Sequence, residues 1–301
     1  MFQNKINNAT SSQSDRRLAI IFVFPAVFLV AVLMYYPMLR TFAQSLFETT
    51  LLKPEPHYVG FATYGTLFND ASFWTIVNNS LSWTLIVVAL QAILGMASAL
   101  LLNQNLPAKG LMRVIVLLPW VLPGVVNAVL WRFMYDPQLG LVNSLLIGAH
   151  LTTTKTAWLA QGSTALLALM VAAIWKGFPF STVMYLAALQ NVDHEQVDAA
   201  QIDGANARQR FINVTLPSIS GIVRLNLLLT TIWTFNYFDL IWIATRGGPG
   251  NRTHIFPTII YQTGFTEFNF GKASAYGVIA VVVLSAFALL YLRELRRTGA
   301  L

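Results

Sequence analysis

Six stretches of this chain, at about 18–36, 75–102, 111–133, 166–189, 219–244 and 273–292, are long and apolar enough to cross a bilayer. A membrane helix needs about 20 mostly apolar residues, each rising 1.5 Å, to span roughly 30 Å of hydrocarbon. Only helices or closed barrels satisfy every backbone polar group in that medium. The expectation is therefore an all-α membrane protein with six transmembrane helices. Composition agrees: 56% of the 301 residues are hydrophobic and 10% charged, against about a quarter charged in soluble domains. The first run follows Arg16-Arg17, as a signal peptide would. Its apolar stretch is long, however, and ends in bulky Met34-Tyr35-Tyr36-Pro37 with no small-residue cleavage site, so it reads as a retained helix.

The basic residues give the orientation. Lys5, Arg16, Arg17, Lys109, Arg113, Arg208, Arg210, Arg293, Arg296 and Arg297 fall on one side of a six-span chain, with Arg224 able to snorkel there. The longer loops on the other side hold Arg40, Lys53, Arg132, Lys155, Arg246, Arg252 and Lys272. Positive charge concentrates in cytoplasmic loops, so both termini are expected in the cytoplasm. Residues 1–17 and 294–301 read as tails around one membrane domain at 18–293. The +7 charge is dispersed over these loops, which speaks against nucleic-acid binding. With no Cys and four scattered His, neither thiolate chemistry nor a metal site is expected.

Between Asn191 and Pro217 the chain leaves the apolar register. Glu195, Asp198 and Asp203 supply charge, while Val197, Ala200, Ile202 and Ala205 can lie on or beside one face of a short helix. Gly204 permits a bend, and Pro217 is expected near the start of the next helix, where its missing N–H costs nothing. An interfacial helix is the alternative, but such helices prefer Lys and Arg on their polar face.

Asp198-Ala199-Ala200, with Gly204 six positions after the acid and Leu216-Pro217 a dozen further on, resembles the coupling loop of permeases in binding-protein-dependent ABC importers. Asp198 stands where Glu is usual. Further likeness to the maltose-type carbohydrate permeases lies in Trp131, Asp136-Pro137, Gly140 and Asn143, in Trp175, Pro179 and Ala188-Leu189-Gln190, in Thr245 through Gly250, and in Tyr261 through Phe265. This chain has the shorter six-span form. The resemblance implies a type I importer permease fold in a bacterial or archaeal inner membrane. It also implies a second, unlike six-span permease, two ATP-binding subunits that carry the ATP and Mg, and a periplasmic or lipid-anchored solute-binding protein. Glu195, Asp198, Ala199, Ala200, Asp203, Gly204, Leu216 and Pro217 would form the contact to the ATPase.

Polar and aromatic residues inside apolar spans mark a transport path. Trp175 through Phe180 form one such cluster, and Thr230, Trp233, Thr234, Asn236, Tyr237 and Asp239 another. Thr230, Trp233, Thr234 and Tyr237 share a helix face that alternates hydroxyls with flat rings, which suits sugars. Lys176, Gly177, Phe180, Thr230, Trp233, Thr234 and Tyr237 match the positions where the resembled permease contacts its sugar. A buried Lys176 ammonium needs an anion or water. Asp239 could be its partner, or the cargo itself could be anionic, so the cargo is read as a sugar or sugar derivative, neutral or phosphorylated or sulfonated. A permease for glycerol 3-phosphate or a similar polyol phosphate stays open.

The chain lacks a phosphate-cradling Gly-x-x-x-x-Gly-Lys-Ser/Thr loop and any catalytic constellation within its spans, so it is expected to transport rather than catalyse. An ion-driven secondary transporter is disfavoured, because no paired halves with matching broken helices occur.

Overall fold

The computed structural model describes residues 18–51 and 53–297; the expected tail at 1–17, with Lys5, Arg16 and Arg17, lies outside them, as do 298–301. The helices are α1 (Leu18–Gln44), α2 (Ala62–Phe68), α3 (Ala71–Asn103), α4 (Lys109–Val121), α5 (Gly124–Met134), α6 (Leu141–Gly148), α7 (Ala165–Leu189), α8 (His194–Ile202), α9 (Leu216–Phe235), α10 (Asp239–Thr245), α11 (Phe256–Tyr261) and α12 (Phe270–Arg297). Among the described residues, five helical stretches are long and apolar enough to cross a membrane, or six if the bent pair α4–α5 counts as one span.

The centre is the pair α3 and α7. Gly177 lies against Gln91 and Gly95 against Ser181, a matching advance of four residues, so the two helices run parallel and end on the same side. Small residues let backbones approach where no hydrophobic effect drives helices together, and a Cβ on either glycine would overlap the facing helix. One cluster of buried side chains (Ala99, Tyr185, Leu189, Val192, Ile219) closes the end where α8 sits. A second (Trp83, Ala128, Trp131, Tyr135, Leu169, Leu240, Ile255) closes the opposite end.

Four expectations need correction. The third span is not one helix: α4 and α5 meet at 97°. Pro123 disfavours helical geometry at the residue before it, and Leu122 is extended (φ −63°, ψ 133°). The fifth span loosens at residues 236–238 before α10 begins. Helix α1 does not stop at Tyr36 but runs through Pro37 to Gln44. Finally, the outward segment at 54–58, whose Pro-rich sequence reads as an irregular turn, belongs to β2 (Lys53–Tyr58), which pairs antiparallel with β1 (Phe47–Thr50).

Helix α1 continues through Pro37 by means of a π-turn at Ala31–Tyr35, and a second π-turn, Phe211–Thr215, precedes Pro217. Proline removes a hydrogen bond and crowds the carbonyl four residues back, and a widened turn just before it relieves that conflict. Pro217 therefore sits inside a helical stretch that already begins at Ala207, not at a free helix start.

At the end remote from α8, residues 246–254 fold into a tight knuckle. Arg246, Gly247, Gly250 and Asn251 have positive φ, and the His254 ring occupies the space a Gly247 side chain would need. The Asn79 amide donates to the Arg252 and His254 carbonyls at 3.0 and 3.1 Å. Burial pushes His254 down to about 4, well below its ordinary 6.5. Between pH 6.5 and 4 the opened knuckle binds a proton that the closed one refuses, so protection should be full near pH 7 and fall with acidification. At pH 5 the loss is ~2 kcal/mol, measurable as faster amide exchange over 246–255 once the intrinsic rate is corrected. Unchanged protection between pH 7 and pH 5 would contradict this.

Candidate functional site

Two features collect the residues singled out in the sequence. The first is α8. Asp193 caps its start by accepting from the Glu195 amide at 2.9 Å, and Gly204, at φ +83°, turns the chain after it. Asn206 and Gln209 then form a reciprocal capping box that starts the next helical turn. A nine-residue helix is thus fixed at both ends by local hydrogen bonds, which such a short segment needs. Val197 packs on the cluster around Tyr185 and Val192, and Ala200 and Ala205 are half-buried. Glu195, Asp198, Ala199, Asp203 and Gly204 are exposed, while Leu216 and Pro217 follow directly on the π-turn Phe211–Thr215.

Ile202 departs from expectation. Five residues past Val197 it lies about 140° round the helix, and it is 86% exposed. The outward face of α8 is therefore one aliphatic knob among three carboxylates.

The second feature is a cavity of about 150 Å³ lined by Gln91, Trp120, Lys176, Gly177, Phe180, Thr230, Trp233, Thr234 and Tyr237. It brings together all seven positions expected along the path and adds two that the sequence reading missed. Gln91 was detectable as an amide inside an apolar run, and Trp120 as the ring beside Pro119 and Pro123. The Gln91 amide donates to the Ala173 carbonyl at 3.0 Å, passing over the bare face of Gly177. Three rings form the open side: Phe180 meets Trp233 edge-on at 4.8 Å, and Trp120 lies 6.1 Å from Phe180. Trp233 and Trp120 are 53% and 48% exposed. Thr230 and Thr234 are buried behind them.

Asp239, one of the two partners left open for Lys176, makes no hydrogen bond to it. The Lys176 ammonium donates to the Leu122 carbonyl at 2.6 Å and lies 3.5 Å from that of Trp120, both at the open end of α4. Asp239 instead stands against Gly124, where an added Cβ would meet its Oδ2 at 2.6 Å.

A larger groove between α3, α9 and α12 is lined by Leu81, Leu85, Val88, Leu227, Val283 and Phe287, among others. Its only polar side chains are Thr84 and Thr231, and a Thr hydroxyl in a helix turns readily to its own backbone, as Thr84 does to Ser80. It offers a solute nothing to orient it.

The motif residues of the turn after α5 serve the fold. Asp136 Oδ1 accepts from the Gln138 and Leu139 amides at 2.9 Å each, and those bonds hold its carboxyl below the usual range. Gly140 admits the Asp136 and Met134 carbonyls where a side chain would clash. Asn143 accepts from the Thr156 amide and the Trp158 indole.

Residues 91–297 match the family model described as binding-protein-dependent transport system inner membrane component. The chain is 34% identical over 292 residues to the trehalose/maltose transport system permease protein MalF of Thermococcus litoralis, covering 95% of this chain and 97% of that one. It is 29% identical over 296 residues to the inner membrane ABC transporter permease protein YcjO of Escherichia coli, covering 98% and 99%. Among solved structures, a chain of a bacterial ABC transporter involved in the import of the acidic polysaccharide alginate superposes with a TM-score of 0.81, at 23% identity and over 96% and 99% of the two chains; at that identity the likeness speaks for the fold. The resemblance drawn from the 191–217 segment and the span motifs holds across the chain, which belongs to the inner-membrane components of binding-protein-dependent transport systems, multi-pass permease subunits of ABC importers that transport rather than catalyse.

Proposed function

We propose that this chain is one half of the path for a carbohydrate, presenting Trp120, Phe180 and Trp233 as stacking faces with the Gln91 amide and the Thr230 and Thr234 hydroxyls behind them. The observation that carries this reading is the cavity lining. Flat rings flanking amide and hydroxyl groups suit the C–H faces and hydroxyl edges of a sugar. The relative from Thermococcus litoralis, named for trehalose and maltose, supports the class. A cavity of about 150 Å³ is below the ~300 Å³ at which small-molecule sites begin, so this subunit supplies one wall and a second, unlike permease the other. The cargo we favour is neutral, because the Lys176 ammonium is already held by carbonyls.

In the assembly we propose, the termini and α8 face the cytoplasm, as the Lys and Arg distribution supports. Two ATP-binding subunits, which hold the ATP and Mg, dock on Glu195, Asp198, Ala199, Ala200, Asp203 and Gly204, with Leu216-Pro217 anchoring the return helix. A solute-binding protein delivers cargo from the other side. Closure of the ATPase dimer would then move α8 and, through Val197 and the cluster beneath it, rock α7 and α9.

The test is uptake by the reconstituted complex with Trp233→Ala. Losing one stacking face removes about 0.5–1.5 kcal/mol, up to about tenfold in uptake. Neutral disaccharides should compete with the cargo and a polyol phosphate should not. Uptake of all cargoes within twofold of wild type would remove this cavity from the path, and competition by the polyol phosphate alone would replace the neutral sugar with an anion.

A further inference from the structure

The third span turns through 97° at Leu122–Pro123, and a break inside an apolar layer leaves unpaired carbonyls on one side and unpaired amides on the other. The two partial charges at such ends are opposite, negative at the carbonyls and positive at the amides. Each end has a side chain of complementary charge beside it. Lys176 donates to the Leu122 carbonyl at 2.6 Å, closing the end of α4. Asp239 lies on the bare Cα of Gly124, the first residue of α5, where a methyl group would come within 2.6 Å of Oδ2. Lys176 and Asp239 also interact electrostatically with each other.

The two half-helices have different main packing partners, although α5 also meets α7, where Trp131 lies 5.7 Å from Trp175. Helix α4 lies against α7, which carries Lys176, whereas α5 lies along α10, which begins with Asp239. The break is thus the seam between an α4–α7 unit and an α5–α10 unit, with one charge mounted on each. Trp120 and Lys176, at the seam, also line the cavity.

We propose that Lys176 and Asp239 are a positioning pair that holds the third span bent, so that the α4–α7 and α5–α10 units pivot against each other at this seam during transport. Neither residue has to touch cargo for this, and the pair works whatever solute is carried, so its failure would leave the carbohydrate reading intact.

The test uses the complete complex with its partner subunits in lipid. Lys176→Met, Asp239→Asn, the double variant and the charge-retaining Lys176→Arg and Asp239→Glu are compared for maximal turnover and for the concentration of loaded binding protein giving half of it. Because the chain has no native Cys, spin labels on Ile115→Cys in α4 and Phe133→Cys in α5 report the bend directly. Each neutral single variant should lower maximal turnover about tenfold, with half-saturation within twofold, and broaden the label distance. The double should be no worse than the poorer single, since coupled sites are not additive, and the charge-retaining variants should recover most turnover. A rise in half-saturation at unchanged turnover would make Lys176 a cargo contact instead. Multiplying losses in the double, an unbroadened label distance, or Arg and Glu variants as impaired as the neutral ones would each overturn the pair. If the neutral variants fail to assemble, that last comparison decides alone.

Discussion

Replacing Ile202 with Asp is expected to abolish cargo-stimulated ATP hydrolysis and to strip the ATP-binding subunits from the purified complex. Ile202 is 86% exposed on a nine-residue helix capped at both ends, so the substitution removes no packing within this chain. Protein interfaces concentrate their energy in a few central anchors surrounded by polar groups, and an aliphatic knob among Glu195, Asp198 and Asp203 has that form. Losing an anchor costs 2 kcal/mol or more, about 30-fold in affinity, and adding a fourth carboxylate compounds it by desolvation and like-charge repulsion. Asp198→Lys should weaken association less, by about tenfold, because a rim charge is partly solvated. The measurements are co-purification of the ATP-binding subunits and hydrolysis with and without loaded binding protein. Wild-type stimulation by Ile202→Asp would mean that α8 contacts no motor.

This prediction could not have been made from the sequence, which grouped Ile202 with Val197. The expectation used apolarity, whereas five residues of helical rotation carry Ile202 to the opposite side. Elsewhere the sequence was read more fully. The apolar runs are visible because bilayer thickness fixes their length, and the face of Thr230, Trp233 and Thr234 because helical spacing is regular; Tyr237 reaches the cavity from the loosened turn after α9, and the facing Lys176, Gly177 and Phe180 came from the resemblance. The break after Leu122 was written in Pro119 and Pro123 but not legible there, since spanning helices often tolerate proline, as α7 does at Pro179. Whether a proline bends or breaks a helix depends on what meets the freed groups, and here Lys176 from α7 donates to the Leu122 carbonyl while Asp239 from α10 stands against Gly124. Gln91 was missed for a similar reason. A lone amide in an apolar run declares itself only when the facing helix is known to present Gly177.

The parallel seam of α3 and α7 leads to the last expected result: Gly95→Leu should prevent assembly altogether. A Cβ at Gly95 would overlap Ser181 and stand 3.0 Å from its backbone carbonyl carbon and 3.1 Å from the Thr182 amide nitrogen, and backbone cannot give as a flexible side chain can. A Leu there forces the helices apart along their whole contact, withdrawing Gln91 from the Ala173 carbonyl. It also distorts Ser181 and Tyr185, which both donate to the Asn226 side-chain oxygen at 3.1 and 2.7 Å. Overpacking alone costs about 1–3 kcal/mol, and each interhelical hydrogen bond in a membrane adds ~0.6. Three such bonds bring the total to about 3–5 kcal/mol, a large part of the 5–15 kcal/mol that separates folded from unfolded states. Gly95→Ala should fold with reduced thermal stability, because one methyl group can be met by a small shift of α7. Gly110→Ala, with open space around the site, should match wild type. The readout is the yield of monodisperse complex and its melting temperature in lipid. A normally assembled Gly95→Leu would mean that α3 and α7 are not in contact at this level and that the cavity between α7 and α9 is built differently.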